Sequence, residues 1–212
     1  LCSALGLGGL TPSHGLMRHA AETRRVPVYV LIRPRVGDFD YSGEEIAMME
    51  DDIARARDLG LDGVVIGATG ADGRLDVETL RRLIAAAKGL GMTLHRAFDM
   101  VKDPIDALDT VIDLGLGRIL TSGCARNVKS GMATLEALAD HAEGRVSIMP
   151  GGGVTAELVP HLLALPGIRE IHASGSSSTA EEPSLVAFGF SAPERRQTDR
   201  SVVERLKMSL LS

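Results

Sequence analysis

Residues 62–98 read DGVVIGATGADGRLDVETLRRLIAAAKGLGMTLHRAF, and this stretch decides the fold. Asp62 to Ala68 is an apolar, β-branched run without clean polar alternation, as expected of a strand buried on both faces. Asp76 stands where a helix N-cap is needed, ahead of an amphipathic stretch from Val77 to Lys88, and Gly89 supplies the stop. Met92 to Phe98 then begins a second strand. Strand, capped helix, glycine stop and strand is the order of a βα unit in a parallel sheet.

The same order recurs on both sides. Further strand candidates are a stub at Leu1 to Leu5, then Val26 to Arg33, Arg118 to Ser122, Arg145 to Met149 and Glu170 to Ala173, which makes seven in all. Thr11-Pro12 and Asp103-Pro104 each place an N-cap before a proline suited to the first helical position. Ser42 and Glu45 have capping-box spacing ahead of a helix from Glu45 to Leu59. Thr155 can cap Ala156 to Leu165, Asp199 can cap Arg200 to Leu211, and Gly60, Gly115 and Gly144 follow other helix ends. Seven strands in 212 residues leave about 30 residues per unit, close to the spacing of a (β/α)₈ barrel. The expected architecture is an α/β, TIM (β/α)₈-type barrel forming a single domain over residues 1–212 and lacking its first βα unit ahead of Leu1. An open doubly wound sheet would need a reversal of strand order that no long crossover suggests. A closed seven-stranded variant or a repaired edge stays open, and an uncovered edge would favour a homo-oligomer.

Composition narrows the partners. The chain is 44% hydrophobic and 24% charged, which excludes disorder, and its 23 Lys and Arg against 28 Asp and Glu give a net charge of -5. With no basic stripe, only 3% aromatic residues and no Trp, neither nucleic acid nor a membrane interface is an expected partner. No apolar run approaches the ~20 residues of a bilayer span. Cys2 and Cys124 form no CxxC pair, so reduced thiols in a cytoplasmic protein are expected.

Barrel chemistry collects at the C-terminal ends of strands. There the sequence places Cys2, Arg33, His95, Arg96, Asp99, Ser122, Cys124, Gly151, Gly152, Gly153, His172 and Ser174. Gly151 to Gly153 and Ser174 to Ser176 occupy the loops that commonly cradle a phosphate, although Pro150 to Gly153 also reads as a tight strand-to-helix turn. In an extended strand His95 and Asp99 share a side and Arg96 takes the other, so Asp99 could orient His95 as a base or acid, or the two could simply satisfy each other. Arg33 opens a long loop, where it either binds an anion or pairs with Asp38 or Asp40. For a soft metal such as Cu(I) the stock is Cys2, Cys124 and eight Met, with the two cysteines expected on opposite sides of the barrel mouth.

At these strand ends, Gly8-Gly9-Leu10-Thr11-Pro12-Ser13, Ile32-Arg33-Pro34-Arg35-Val36-Gly37-Asp38-Phe39, His95-Arg96-Ala97-Phe98-Asp99-Met100, Leu120-Thr121-Ser122-Gly123 and Pro150-Gly151-Gly152-Gly153 resemble, in order, the CutC copper homeostasis protein family. The resemblance implies a cytoplasmic TIM barrel linked to copper tolerance or trafficking, with Cu(I) bound through cysteines in some members. Cys2 matches the cysteine ending the family's second strand, and its companion lies on a first strand that this sequence lacks. Cys124 matches a position occupied by Cys or Gln, and the tail from Thr179 to Pro193 departs from the family pattern. Two functions follow as expectations. One is copper handling, with Cu(I) on Cys2 and a Met, His or partner-chain ligand. The other is an enzyme for a small phosphorylated or anionic metabolite, with His95 and Asp99 as the acid-base pair and Arg33, Arg96, Ser122, Gly151 to Gly153, His172 and Ser174 around the anion.

Overall fold

The strands of the sheet are short and follow one another in space as they do in the chain. In the computed structural model, which describes residues 1–211, β1 (Tyr29–Leu31), β2 (Gly63–Ile66), β3 (Gly91–Leu94), β4 (Arg118–Thr121) and β5 (Ser147–Pro150) form one parallel sheet in the order β1-β2-β3-β4-β5. No reversal of order occurs, so the doubly wound alternative is excluded and the singly wound arrangement of a barrel is what the chain builds. Beyond β5 the parallel arc continues as one bridge, Gly151 to His172. Beyond β1, the Leu31 amide donates to the Leu1 carbonyl at 3.0 Å. Among the described residues no ladder joins those two edges, and the sheet is an arc open between Leu1 and His172.

The helices cover its outer face. They are α1 (His14–Thr23), α2 (Gly43–Asp58), α3 (Val77–Ala86), α4 (Pro104–Asp113), α5 (Met132–Ala142) and α6 (Val159–Leu163). Side chains alternate along each strand, so Val30, Ile32, Val64, Ile66, Ile119 and Ile148 turn outward and are buried beneath helical residues such as Ile53, Leu80, Leu83, Leu108 and Leu135. Each such side chain contributes about 1.5–3 kcal/mol by leaving water. The alternate set, Tyr29, Leu31, Val65 and Met149, points into the arc and is only half-buried. On that inner side Tyr29 spans the floor over two glycines. A Cβ at Gly63 would lie 2.4 Å from Tyr29 Cε1 and 2.5 Å from the Gly91 carbonyl oxygen, so nothing larger fits there.

Local signals decide the helix starts. Ser42 and Glu45 form the reciprocal capping box, Asp76 accepts from the Thr79 amide, and Asp103 caps α4 with Pro104 at its start. Thr11 does not cap α1. Its hydroxyl accepts instead from the Arg33 amide at 2.8 Å, and Ser13 takes over as cap. The helix expected over 156–165 is shorter, because Pro160 has no N–H to donate to the Ala156 carbonyl. Residues 155–158 make a turn, and helix is restricted to Val159–Leu163.

Three of the expected strands differ. The stub at Leu1 to Leu5 turns back through Ala4, which has φ 49°, and a 3₁₀ turn at Leu5–Leu7, so that Ser3 pairs antiparallel with Leu10. The run from Met92 stops at Leu94, and Arg96–Met100 is a 3₁₀ turn. Glu170 to Ala173 makes only the single bridge to Gly151. The tail adds an antiparallel pair not expected from the sequence, β6 (Ser176–Ala180) and β7 (Glu194–Thr198), joined through α7 (Pro183–Ala187) and followed by α8 (Arg200–Ser209), which Asp199 caps as expected. No helix among the described residues is long and apolar enough to cross a membrane.

Gly63→Ala should overpack the floor against Tyr29 and the neighbouring backbone, lowering stability by about 2 kcal/mol in urea unfolding. A midpoint unchanged from the parent chain would show that the floor is loose.

Candidate functional site

A cavity of about 1020 Å³ occupies the inside of the arc and is lined by residues at both ends of the strands, including their C-terminal ends. Its key residue is Arg33, at the end of β1. Arg33 is 8% exposed, and its Nη1 donates to the carbonyls of Leu7 (3.1 Å) and Gly9 (3.0 Å) while Nη2 donates to Gly37 (3.0 Å). Its Nε has no partner, and among the described residues no carboxylate forms an ion pair with it. Asp38 pairs with Arg35 instead, which also holds Glu45, and this clamp fixes the loop that brings Phe39 over Arg33 at 5.1 Å.

His95 also packs on Phe39, with ring centroids 5.0 Å apart. It is 4% exposed, and its Nδ1 accepts from the Ala97 amide at 3.1 Å. That bond requires a lone pair on Nδ1, so the proton of the neutral ring sits on Nε2, a buried atom without a hydrogen-bond partner. Burial, reinforced by the Arg33 charge, pushes the His95 pKa down to about 3. The ring is seated on Gly67, where a Cβ would stand 2.5 Å from His95 Cε1. His95 therefore lines the site as a fixed, neutral ring that carries its one N–H on the buried Nε2.

Asp99 does not orient His95. Because the extended conformation ends at Leu94, the two-residue period is lost, and both His95 and Arg96 reach the cavity while Asp99 turns into the wall. There Asp99 Oδ1 accepts from Thr121 Oγ1 (2.5 Å) and from the amides of Ser122 (3.0 Å) and Cys124 (3.1 Å), and Oδ2 accepts from Arg96 Nε (2.6 Å). Ser122 Oγ is spent inside the same knot, between Asp99 Oδ2, Ala125 O and Arg96 Nη2. Asp99 is thus a positioning residue that aims Arg96, and neither Asp99 nor Ser122 lines the cavity.

Gly152 and Gly153 line the cavity, both with positive φ, whereas Gly151 is a packing residue whose Cβ would lie 2.3 Å from Leu120 Cδ1. The loop at Gly151 to Gly153 does not lead directly into a long helix, and Ser174 to Ser176 leads into β6, so neither loop of the expected phosphate cradle adds the N-terminus of a long helix. His172 and Ser174 do face the cavity, and the surrounding protein lowers the His172 pKa by burial. Cys2 lines it as well, but Cys124 does not. The Cys124 thiol donates to the Phe98 carbonyl and is pushed up to about 11 by burial and then by Asp99. A Cys2–Cys124 metal pair does not fit this arrangement, and among the described residues no three His, Cys, Asp or Glu side chains gather as a metal-binding group.

Sequence reasoning missed four arginines of the cavity wall. Arg118 starts β4 with the same parity as the inward Leu120, which could have revealed it. There it pairs with Glu170 at 2.7 Å. Arg126, Arg196 and Arg205 sit in a loop and in the tail, where no periodic pattern marks a wall.

Between pH 6.5 and about 3 the unfolded chain protonates His95 and the folded chain does not, so this residue makes stability fall as pH is lowered, by up to about 1.4 kcal/mol per pH unit. Imidazole ¹⁵N spectra should show the Nε2–H form of His95 unchanged from pH 8 to 5. Titration near the ordinary value of 6.5 would contradict this assignment.

Comparison with known proteins bears on the family and the fold. The family model described as the CutC family matches residues 1–177. The family protein CutC of Rhizobium meliloti is 50% identical over 211 residues, 99% of this chain and 86% of the relative, and that of Vibrio vulnificus strain YJ016 is 46% identical over 201 residues, 94% and 80%. Among solved structures, CutC of Streptococcus agalactiae, named for copper homeostasis, superimposes with a TM-score of 0.77 at 35% identity over 81% of this chain and 85% of that one. An aldolase, QR15, shares the fold alone, with a TM-score of 0.59 at 17% identity over 74% of this chain and 73% of that one. On the matched model, the relatives and the shared barrel architecture, this chain belongs to the CutC family.

Proposed function

We propose that this CutC-family chain is a barrel enzyme that binds a small anionic metabolite at the C-terminal mouth of the arc. The observation that carries the reading is the buried Arg33 guanidinium, held only by carbonyl oxygens and lacking a carboxylate, beside the unpartnered Nε2–H of His95. A buried cation without a counter-charge costs several kcal/mol, and an orphaned buried donor costs a further 1–3 kcal/mol. A ligand with an acid group on Arg33 and a carbonyl or hydroxyl oxygen on His95 Nε2 relieves both. Arg96, its charge balanced and its guanidinium aimed by Asp99, stands along the same wall as a further hydrogen-bond donor. In this reading His95 stabilises negative charge developing on the ligand oxygen, and His172, open to the cavity, is the titratable group available to exchange a proton.

A panel of phosphorylated and carboxylated metabolites tests the reading by thermal shift. A ligand present at about a hundred times its Kd should stabilise the parent chain by about 2.7 kcal/mol. The same ligand should not stabilise Arg33→Met, while Arg33→Lys, which keeps the charge but not the fork, should retain part of the shift. Absence of any shift across the panel, inorganic phosphate included, would reject the proposal.

Cys2 favours a second reading, because it is the cysteine that faces the cavity. Here Cu(I) is cargo taken up on a soft thiolate ligand, in keeping with the copper homeostasis for which the Streptococcus agalactiae structure is named. A cytoplasmic setting would keep both free cysteines reduced. Competition against a Cu(I) chelator should then show at least a tenfold loss of affinity in Cys2→Ser and none in Cys124→Ser. Equal affinity in Cys2→Ser would remove this reading.

A further inference from the structure

We infer that the tail beyond residue 177, through Arg196 on β7 and Arg205 on α8, forms the outer wall of the anion site, and that the ligand carries two acid groups rather than one. This rests on the proposed anion site and extends it. The tail is built onto that site, since β7 packs against the Leu5–Leu7 turn, whose Leu7 carbonyl accepts from Arg33, and α8 packs on both β6 and α6. From there Arg196, Val202, Arg205 and Leu206 line the same cavity as Arg33 and His95.

Charge within the cavity points the same way. Arg118 is neutralised by Glu170 and Arg96 by Asp99, whereas Arg205 makes no ion pair among the described residues and has Glu157 only as a longer-range neighbour. Arg33 has only carbonyl partners, and no hydrogen bond or ion pair engages Arg126 or Arg196 among the described residues. Three uncompensated guanidiniums thus face one cavity in a chain whose net charge is -5, a concentration of positive potential that a single acid group would leave largely unbalanced. The ligand class that matches is a short carbon chain bearing a phosphate at one end and a carboxylate or second phosphate at the other.

Calorimetric titration with a matched pair of probes tests this. Glycerol 3-phosphate has one acid group, and 3-phosphoglycerate has the same three-carbon skeleton with a carboxylate in place of the terminal CH2OH. The parent chain should bind 3-phosphoglycerate at least tenfold more tightly. In the Arg196→Ala/Arg205→Ala double variant that preference should vanish, with glycerol 3-phosphate affinity changed less than twofold. Both arginines are exposed, so the fold should survive, and the corresponding Gln double variant checks this with less loss of surface. Equal affinities in the parent chain, or a preference that persists in both double variants, would overturn the tail's role. If Arg33→Met still abolishes binding in that case, the anion site itself stands. Failure of 3-phosphoglycerate to bind the parent chain would overturn the two-acid ligand, and a negative metabolite panel with it would remove the site as well.

Discussion

A buried guanidinium needs acceptors, and in this protein the needs of Arg33 organise the mouth of the barrel. Its fork can be satisfied by carbonyls only if the Leu5–Leu7 turn and Gly9 fold back over β1 and if the loop after β1 returns through Gly37. The Arg35 clamp to Asp38 and Glu45 holds that returning loop in place, and Glu45 in turn completes the capping box that starts α2. One cation therefore ties together an edge, a flap and a helix, while keeping its own charge free of any carboxylate.

Much of the fold was legible because the outward face of each strand and the start of most helices obey local rules. Ser42, Asp76, Asp103 and Asp199 cap where their spacing says they should. The departures have tertiary causes. Thr11 has the right neighbours for a cap, but a strand amide claims its hydroxyl. Pro160 interrupts a ladder that amphipathic spacing alone would continue. The β6–β7 pair was invisible because Glu194 to Thr198 is polar and exposed throughout, so its strand state is set by pairing rather than by burial.

The site was legible by place more than by role. Strand ends marked Arg33, His95, Arg96, His172 and Cys2 as cavity residues, and all of them line it. What spacing could not reveal was that a 3₁₀ turn follows Leu94, which separates Asp99 from His95 and hands it to Arg96, Thr121 and Ser122. Gly67 carries a similar lesson. It lies within the apolar run from Asp62 to Ala68, where spacing gives it no role, yet it is the seat that fixes the His95 ring.

Tyr29, spread over Gly63 and Gly91 beneath Arg118, gives the protein an optical property of its own. The chain has no Trp and two Tyr, and Tyr41 is shielded among core residues while Tyr29 faces the cavity. Ultraviolet emission from this protein is therefore phenolic, unmasked by indole, and one of its two emitters stands inside the chamber that a ligand would enter. The molecule carries a native fluorophore at its own binding cavity, so occupancy can be followed by light without a label.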